Sequence, residues 1–132
     1  MIGDAQFLPG YCVLLTDDPA VDRLTDLPRS RRLAFLADMD LVGEAVATVC
    51  ARFDGAFRRV NYAILGNLDP YLHAHIHARY EWEPADLANK PVSHYPREVS
   101  SAASSLLGPQ HDALRAALTA ELTRLMTTSR EP

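Results

Sequence analysis

Three of the five histidines in the chain stand at alternate positions, His73, His75 and His77. Side chains alternate between the two faces of a β-strand, so this spacing predicts a strand with three imidazoles along one face. Tyr71 continues the row at its N-terminal end, and the residues in between are all apolar: Leu72, Ala74, Ile76 and Ala78. Near neutral pH an imidazole can act as a nucleophile, a proton carrier or a metal ligand. The pattern therefore predicts one face of the strand that packs in the core and one face that carries chemistry.

The segment before this row predicts how the row is held. Residues 57–65 alternate between apolar and polar side chains, which is typical of a second strand. Gly66-Asn67 and Asp69-Pro70 follow and predict a turn. We therefore expect a hairpin that brings Asn61 on the neighbouring strand, and Asn67 in the turn, close to the histidines.

The rest of the chain predicts an α+β fold in a single domain of residues 1–132. Residues 7–16 predict a short apolar strand after a Pro-Gly turn. Apolar residues at steps of three and four predict an amphipathic helix from Ser30 to Arg52. Residues 85–108 contain two of the prolines that follow the histidine row and predict a loop, and residues 109–126 predict a C-terminal helix.

The composition excludes several classes of protein. With 132 residues, of which 48% are hydrophobic, the chain is long enough to bury a core. Its net charge of −4 argues against a protein that coats nucleic acid. No stretch has the roughly 18 apolar residues of a membrane span, and the first residues lack the pattern of a signal peptide. We expect a cytoplasmic protein without a membrane or nucleic-acid partner, in which Cys12 and Cys50 are free, buried thiols.

The histidine row and its flanks resemble the histidine triad family of nucleotide hydrolases and transferases. The family pattern is Gly-Asn or Gly-Gln, three residues, and then histidines at alternate positions followed by Pro-Arg. This chain has Gly66-Asn67 before the row and Arg79 after it. Matching both flanks without a gap puts Tyr71 in the first histidine position, His73 in the middle position and His75 in the third.

Two registers of this resemblance stay open. In the first register His73 is the middle histidine, and His77 replaces an apolar residue. In the second register His73, His75 and His77 form the triad, but the spacing to both flanks is broken. We favour the first register because the turn fixes the position of each residue on a hairpin strand. The resemblance covers about residues 7–84.

The resemblance implies a mainly antiparallel sheet of about five strands, with the main helix packed on it, and a C-terminal helix. Members of the family use the middle histidine to attack the α-phosphorus of a nucleoside phosphate and form a nucleotidyl-histidine, without a metal or cofactor. We therefore expect a hydrolase or nucleotidyl transferase that acts on dinucleoside polyphosphates, such as diadenosine polyphosphates, or on nucleoside phosphoramidates. The family also implies a homodimer.

Two groups of site residues follow from the row and the resemblance. The catalytic group is Tyr71, His73, His75 and His77. The substrate-binding group is Asn61, Gly66, Asn67 and Arg79. No metal ligand is expected. A phenol in the first position can donate a hydrogen bond but cannot carry a positive charge, so His77 is the candidate to take over part of the protonation of the leaving group.

Two alternative functions remain open from the sequence. One is a non-catalytic nucleotide-binding domain of the same fold, which the tyrosine in the first position favours. The other is a metalloenzyme in which the three histidines bind Zn²⁺ or Fe²⁺, with Asp69, Glu81 and Glu83 as possible further ligands.

Overall fold

One antiparallel sheet of three strands forms the centre of the computed structural model, which describes residues 1–128. The strands are β1 (Cys12–Leu15), β2 (Phe57–Ala63) and β3 (His73–Tyr80), in the spatial order β1-β3-β2. The histidine row therefore lies on the central strand. The last four residues of the predicted domain 1–132 lie outside the described residues.

The predicted hairpin is confirmed. Strands β2 and β3 pair antiparallel, with Asn61 opposite His77 and Ala63 opposite His75. Gly66 lies in the connection between them with a φ of +64°, a left-handed conformation that glycine adopts without steric cost. On the other side of β3, Val13 of β1 lies opposite His75. Of the three histidines, only His75 is paired on both sides, since His73 is paired with Leu15 of β1 alone and His77 with Asn61 of β2 alone.

One long helix covers the face of the sheet opposite the histidines, and a second long helix packs on the first. Helix α1 (Arg29–Phe53) contacts all three strands and extends the predicted helix by one residue at each end. The C-terminal helix, labelled α3 here because a shorter helix α2 (Arg97–Ser101) precedes it, runs over Asp112–Thr128 and packs on α1. Its predicted first turn is a 3₁₀ turn at Pro109–His111. The apolar side chains of the row are buried beneath α1, as predicted: Leu72, Ala74, Ile76 and Ala78.

The prediction of about five strands was wrong, because the described residues contain three. Residues 1–11 form no strand, and their strand-type pairings are two isolated bridges, from Ile2 to Cys12 and from Ala5 to Leu106. Residues 81–111 form turns, 3₁₀ segments and the short helix α2. Prolines interrupt this stretch, and a proline has no N–H to donate to a strand ladder.

Two smaller expectations can also be compared with the structure. Cys12 and Cys50 are free and buried, as predicted. None of the helices in residues 1–128 combines the length and apolar character that crossing a bilayer requires.

Candidate functional site

Strand β3 presents His73, His75 and His77 on the face of the sheet that is not covered by α1. The ring centroids of His73 and His75 are 4.9 Å apart, and those of His75 and His77 are 6.0 Å apart. Tyr71 lies just before the strand, with its ring centroid 4.9 Å from that of His73. The four rings thus follow one another along one face of the sheet.

His73 has a defined tautomer. Its Nδ1 lies 2.8 Å from the backbone carbonyl oxygen of Tyr71. A carbonyl oxygen can only accept a hydrogen bond, so Nδ1 carries the proton and Nε2 has a free lone pair. The residue is buried, with 6% of its surface exposed. The neutral ring of His73 therefore presents the lone pair of Nε2, as a nucleophile or a metal ligand does.

His75 makes a different contact. Its Nδ1 lies 2.7 Å from the hydroxyl of Tyr11, the residue immediately before β1. Burial lowers the pKa of His75, and the positive charge of a protonated His73 lowers it further, against a smaller opposite effect of Asp69. Both effects favour the neutral imidazole.

His77 packs against the same tyrosine. The rings of His77 and Tyr11 are nearly parallel, at 5°, with their centroids 4.2 Å apart. Burial, followed by the positive charges of His75 and Arg79, lowers the pKa of His77 to about 4. The positively charged form of His77 is therefore rare at pH 7.

A cavity of about 1120 Å³ opens above the C-terminal half of the row. His75 and His77 line its floor, and residues 88–93 with Phe7 and Tyr95 contribute its walls. The charged side chains that line the cavity are all basic: Arg58, Arg59, Arg79, Lys90 and Arg97. Apart from Arg79, none of them forms an ion pair within residues 1–128. A cavity with this lining attracts an anionic ligand.

Comparison with known proteins identifies the fold. A histidine triad protein from Marinobacter aquaeolei matches with a TM-score of 0.72 and 21% identity, over 94% of this chain and 81% of the other. The fold is the histidine triad fold. A histidine triad protein from Bradyrhizobium japonicum matches with a TM-score of 0.70 and 21% identity, over 92% and 81% of the two chains. One from Sinorhizobium meliloti matches with a TM-score of 0.64 and 20% identity, over 93% and 78%.

Sequence comparisons add nothing to this result, because the chain matches no family model and no curated protein. The histidine triad fold is thus established by structure.

Arg79 stabilises the fold through hydrogen bonds within the chain. Its side chain is 4% exposed, and all five guanidinium N–H groups have acceptors. These acceptors are both carboxylate oxygens of Glu83, Oδ1 of Asn61 and the carbonyl oxygens of Leu87, Ala88 and Lys90. Arg79 therefore ties residues 87–90 to the sheet and has no N–H left to donate to a ligand, although the sequence suggested a substrate-binding residue.

The other predicted substrate-binding residues divide into two groups. Asn61 lines the cavity, and because its Oδ1 accepts from Arg79, its Nδ2 group remains as the donor. Of the four side chains of the row, only His75 and His77 line the cavity, and Tyr71 and His73 do not. Gly66 and Asn67, which are exposed in the turn, are not among the lining residues either. The position of Gly66 and Asn67 outside the cavity gives no support to the prediction that they contact a phosphate.

The metal alternative depends on carboxylates near the row. Within residues 1–128 no group of three or more His, Cys, Asp and Glu side chains is placed to hold a metal ion. Glu83 is buried, and burial alone would raise its pKa. Hydrogen bonds from Arg79, from the hydroxyl of Tyr95 and from the backbone N–H of Tyr80 outweigh this effect and lower the pKa. Its carboxylate is therefore ionised and fully used within the protein.

Sequence reasoning missed Tyr11 and the basic lining of the cavity. A signal for Tyr11 was present in Pro9-Gly10-Tyr11, because the Pro-Gly turn predicts that a strand starts near this residue. Cys12 of β1 pairs with Ile76, so the preceding residue comes beside His77. The basic lining joins residues from β2 and from the segment after β3, which are distant in sequence and gave no local signal.

Proposed function

We propose that the protein is a nucleoside phosphate hydrolase or nucleotidyl transferase in which His73 is the nucleophile. The observation that carries this proposal is the hydrogen bond of 2.8 Å from His73 Nδ1 to the carbonyl oxygen of Tyr71, which leaves the lone pair of Nε2 free. His75 is less suited to attack. A hydroxyl on its Nδ1 favours the proton on Nε2, which makes that atom a donor. The contacts thus favour the first of the two registers.

The reaction has two steps. The lone pair of His73 Nε2 attacks the α-phosphorus, a nitrogen–phosphorus bond forms, and the leaving group departs with its bonding electrons. Water then attacks the same phosphorus and loses a proton to solvent, while the nitrogen–phosphorus bond breaks and returns the electron pair to Nε2. His75, whose ring centroid lies 4.9 Å from that of His73, donates from Nε2 to a non-bridging phosphate oxygen and stabilises its charge.

The substrates we propose are phosphoanhydrides, such as dinucleoside polyphosphates, in preference to phosphoramidates. The amine of a phosphoramidate must be protonated before it leaves, whereas the phosphate of an anhydride leaves as a stable anion. Tyr71 cannot carry a positive charge, and His77 is rarely charged at pH 7 because its pKa is about 4. The basic cavity supplies countercharge for the remaining phosphates.

Trapping of the covalent intermediate tests the nucleophile. The protein is mixed with a dinucleoside polyphosphate, quenched in denaturant at alkaline pH and mapped by mass spectrometry, because nitrogen–phosphorus bonds of this type hydrolyse in acid. We expect a nucleotidyl group on residue 73. His73→Ala should abolish it and lower turnover at least about a thousandfold. His75→Ala should slow its formation by about 10²–10³-fold and leave it on His73. An adduct on His75 in the unmodified protein would transfer the role to the second register.

Rates on matched substrates test the leaving group. We expect an adenosine polyphosphate to react faster than an adenosine phosphoramidate at pH 7. The order should reverse if another group in the site protonates the leaving amine.

Calorimetry with adenosine monophosphate, with and without a chelator, tests the two alternative functions, the non-catalytic nucleotide-binding domain and the metalloenzyme. Binding without turnover of either substrate supports the nucleotide-binding domain, and binding lost on chelation supports the metalloenzyme. The homodimer and the cytoplasmic location stay predictions.

A further inference from the structure

Tyr11 contacts two histidines of the row from outside strand β3. Its hydroxyl lies 2.7 Å from His75 Nδ1, and its ring stacks on His77 with the centroids 4.2 Å apart. The rings of Tyr11 and His75 are also nearly parallel, at 13°. The stack with His77 therefore holds the phenol in the plane from which its hydroxyl reaches His75.

The direction of this hydrogen bond decides which nitrogen of His75 carries the proton. If the hydroxyl donates to Nδ1, both polar atoms are satisfied. If instead Nδ1–H donates to the phenol oxygen, the hydrogen of Tyr11 has no acceptor within residues 1–128, which is unfavourable at this half-buried position. Burial, followed by the negative charge of Asp4, raises the pKa of Tyr11 to about 12, so the hydroxyl keeps its hydrogen near neutral pH.

We propose that Tyr11 is a positioning residue that holds His75 in the tautomer with the proton on Nε2, ready to donate to a phosphate oxygen. This inference rests on the proposed function for its catalytic meaning, but not for the tautomer itself. The hydrogen-bond partners of Nδ1 differ between His73 and His75, and they place the proton on different nitrogens of the two rings. A carbonyl that can only accept keeps the proton of His73 on Nδ1, and a hydroxyl that donates keeps the proton of His75 on Nε2. Two identical side chains thereby become a nucleophile and a donor.

The sharpest test compares the tautomers directly in Tyr11→Phe. This variant keeps the ring that stacks on His77 and removes only the hydroxyl. In the unmodified protein, with ¹⁵N-labelled histidine, the nitrogen chemical shifts should show His73 with the proton on Nδ1 and His75 with the proton on Nε2. In Tyr11→Phe, His75 should become a mixture of tautomers while His73 stays unchanged. Tyr62→Phe, which removes the hydroxyl of an exposed tyrosine on β2, serves as the control and should leave His75 unchanged.

Kinetics then separate a positioning role from a loss of folding. With a dinucleoside polyphosphate we expect kcat of Tyr11→Phe to fall about tenfold or more, with KM changed less than about twofold, because the missing bond concerns orientation in the transition state. Unchanged His75 shifts in Tyr11→Phe would overturn the inference, as would an unchanged kcat in a protein that turns over. A change of tautomer in a protein without turnover would overturn the proposed function and leave the positioning by Tyr11 intact.

Discussion

The buried ion pair between Arg79 and Glu83 gives a prediction whose magnitude follows from the structure. The two side chains are 4% and 0% exposed, and Nη2 lies 2.8 Å from Oε2. In Arg79→Met the carboxylate of Glu83 stays buried without its cation. Removal of one partner of a buried pair costs about 3–5 kcal/mol, a large fraction of the 5–15 kcal/mol of a typical domain. At roughly 2–8 °C per kcal/mol, we expect the melting temperature to fall by ~10–20 °C.

Circular dichroism during thermal and urea unfolding measures this loss. The matched control is Arg115→Met, which removes an exposed arginine paired with Asp112 and should change the free energy of unfolding by less than about 1 kcal/mol. The double variant Arg79→Met/Glu83→Leu removes both charges and should recover part of the stability lost in the single variant, since no unpaired charge stays buried. The rest stays lost, because the hydroxyl of Tyr95 and the backbone N–H of Tyr80 no longer have Glu83 as their acceptor.

Two results would refute this reasoning. One is an Arg79→Met protein within about 1 kcal/mol of the unmodified protein, because a carboxylate without a partner cannot then be buried there. The other is a double variant that is no more stable than Arg79→Met. The first result would reopen the substrate-binding role that the sequence suggested for Arg79.

Two further predictions concern pH and backbone conformation. Since the pKa of His77 is about 4 in the folded chain and ordinarily 6.5, the unfolded chain binds the proton first, and stability should fall by on the order of 3 kcal/mol between pH 6.5 and pH 4. Urea unfolding across this range should show a shallower dependence for His77→Phe, and parallel curves for the two proteins would contradict the assignment. Gly10 has a φ of +99°, and a Cβ there would overlap Sγ of Cys50, so Gly10→Ala should lose about 2 kcal/mol or more. Gly55→Ala, at a position where a Cβ meets open space, should lose much less, and equal losses would contradict the overlap.

The hairpin and its histidine row could be predicted because their signals are local. The alternation along β3 and the residues of the turn, including Gly66, act within a few positions of each other, so the hairpin and the face that carries the histidines follow from the sequence. Helix α1 could likewise be predicted from its apolar spacing. The extent to which its first turns are buried could not be predicted from this spacing. Helix α1 has 25 residues and is about 37 Å long, whereas the longest strand has only 8 residues, so the sheet is too short to cover the whole helix. Leu33, on the predicted apolar stripe, is accordingly 53% exposed.

The strand count and the partners of the row depend on contacts between distant residues. Tyr11 reaches His75 across 64 positions of the chain, and no spacing rule connects them. Arg79 matched the family flank, but the sequence gives no sign that Glu83, only four positions later, would occupy its guanidinium. A motif predicts which residue stands at a position, whereas the free hydrogen-bond donors of that residue depend on the three-dimensional neighbours.

The hydrogen bonds of Arg79 nevertheless bear on the proposed ligand, because they hold the backbone of Lys90, which lines the cavity. Its Nη1 donates to the carbonyl oxygen of Lys90 at 2.9 Å, and its Nη2 donates to the carbonyl oxygen of Leu87 at 3.1 Å. These bonds fix the backbone from which the side chain of Lys90 enters the cavity. Arg79 thus positions a cation for the ligand without contacting it. Loss of Arg79 should therefore weaken both the fold and the binding of an anionic ligand, whereas Lys90→Gln, at an exposed position, should weaken only the binding.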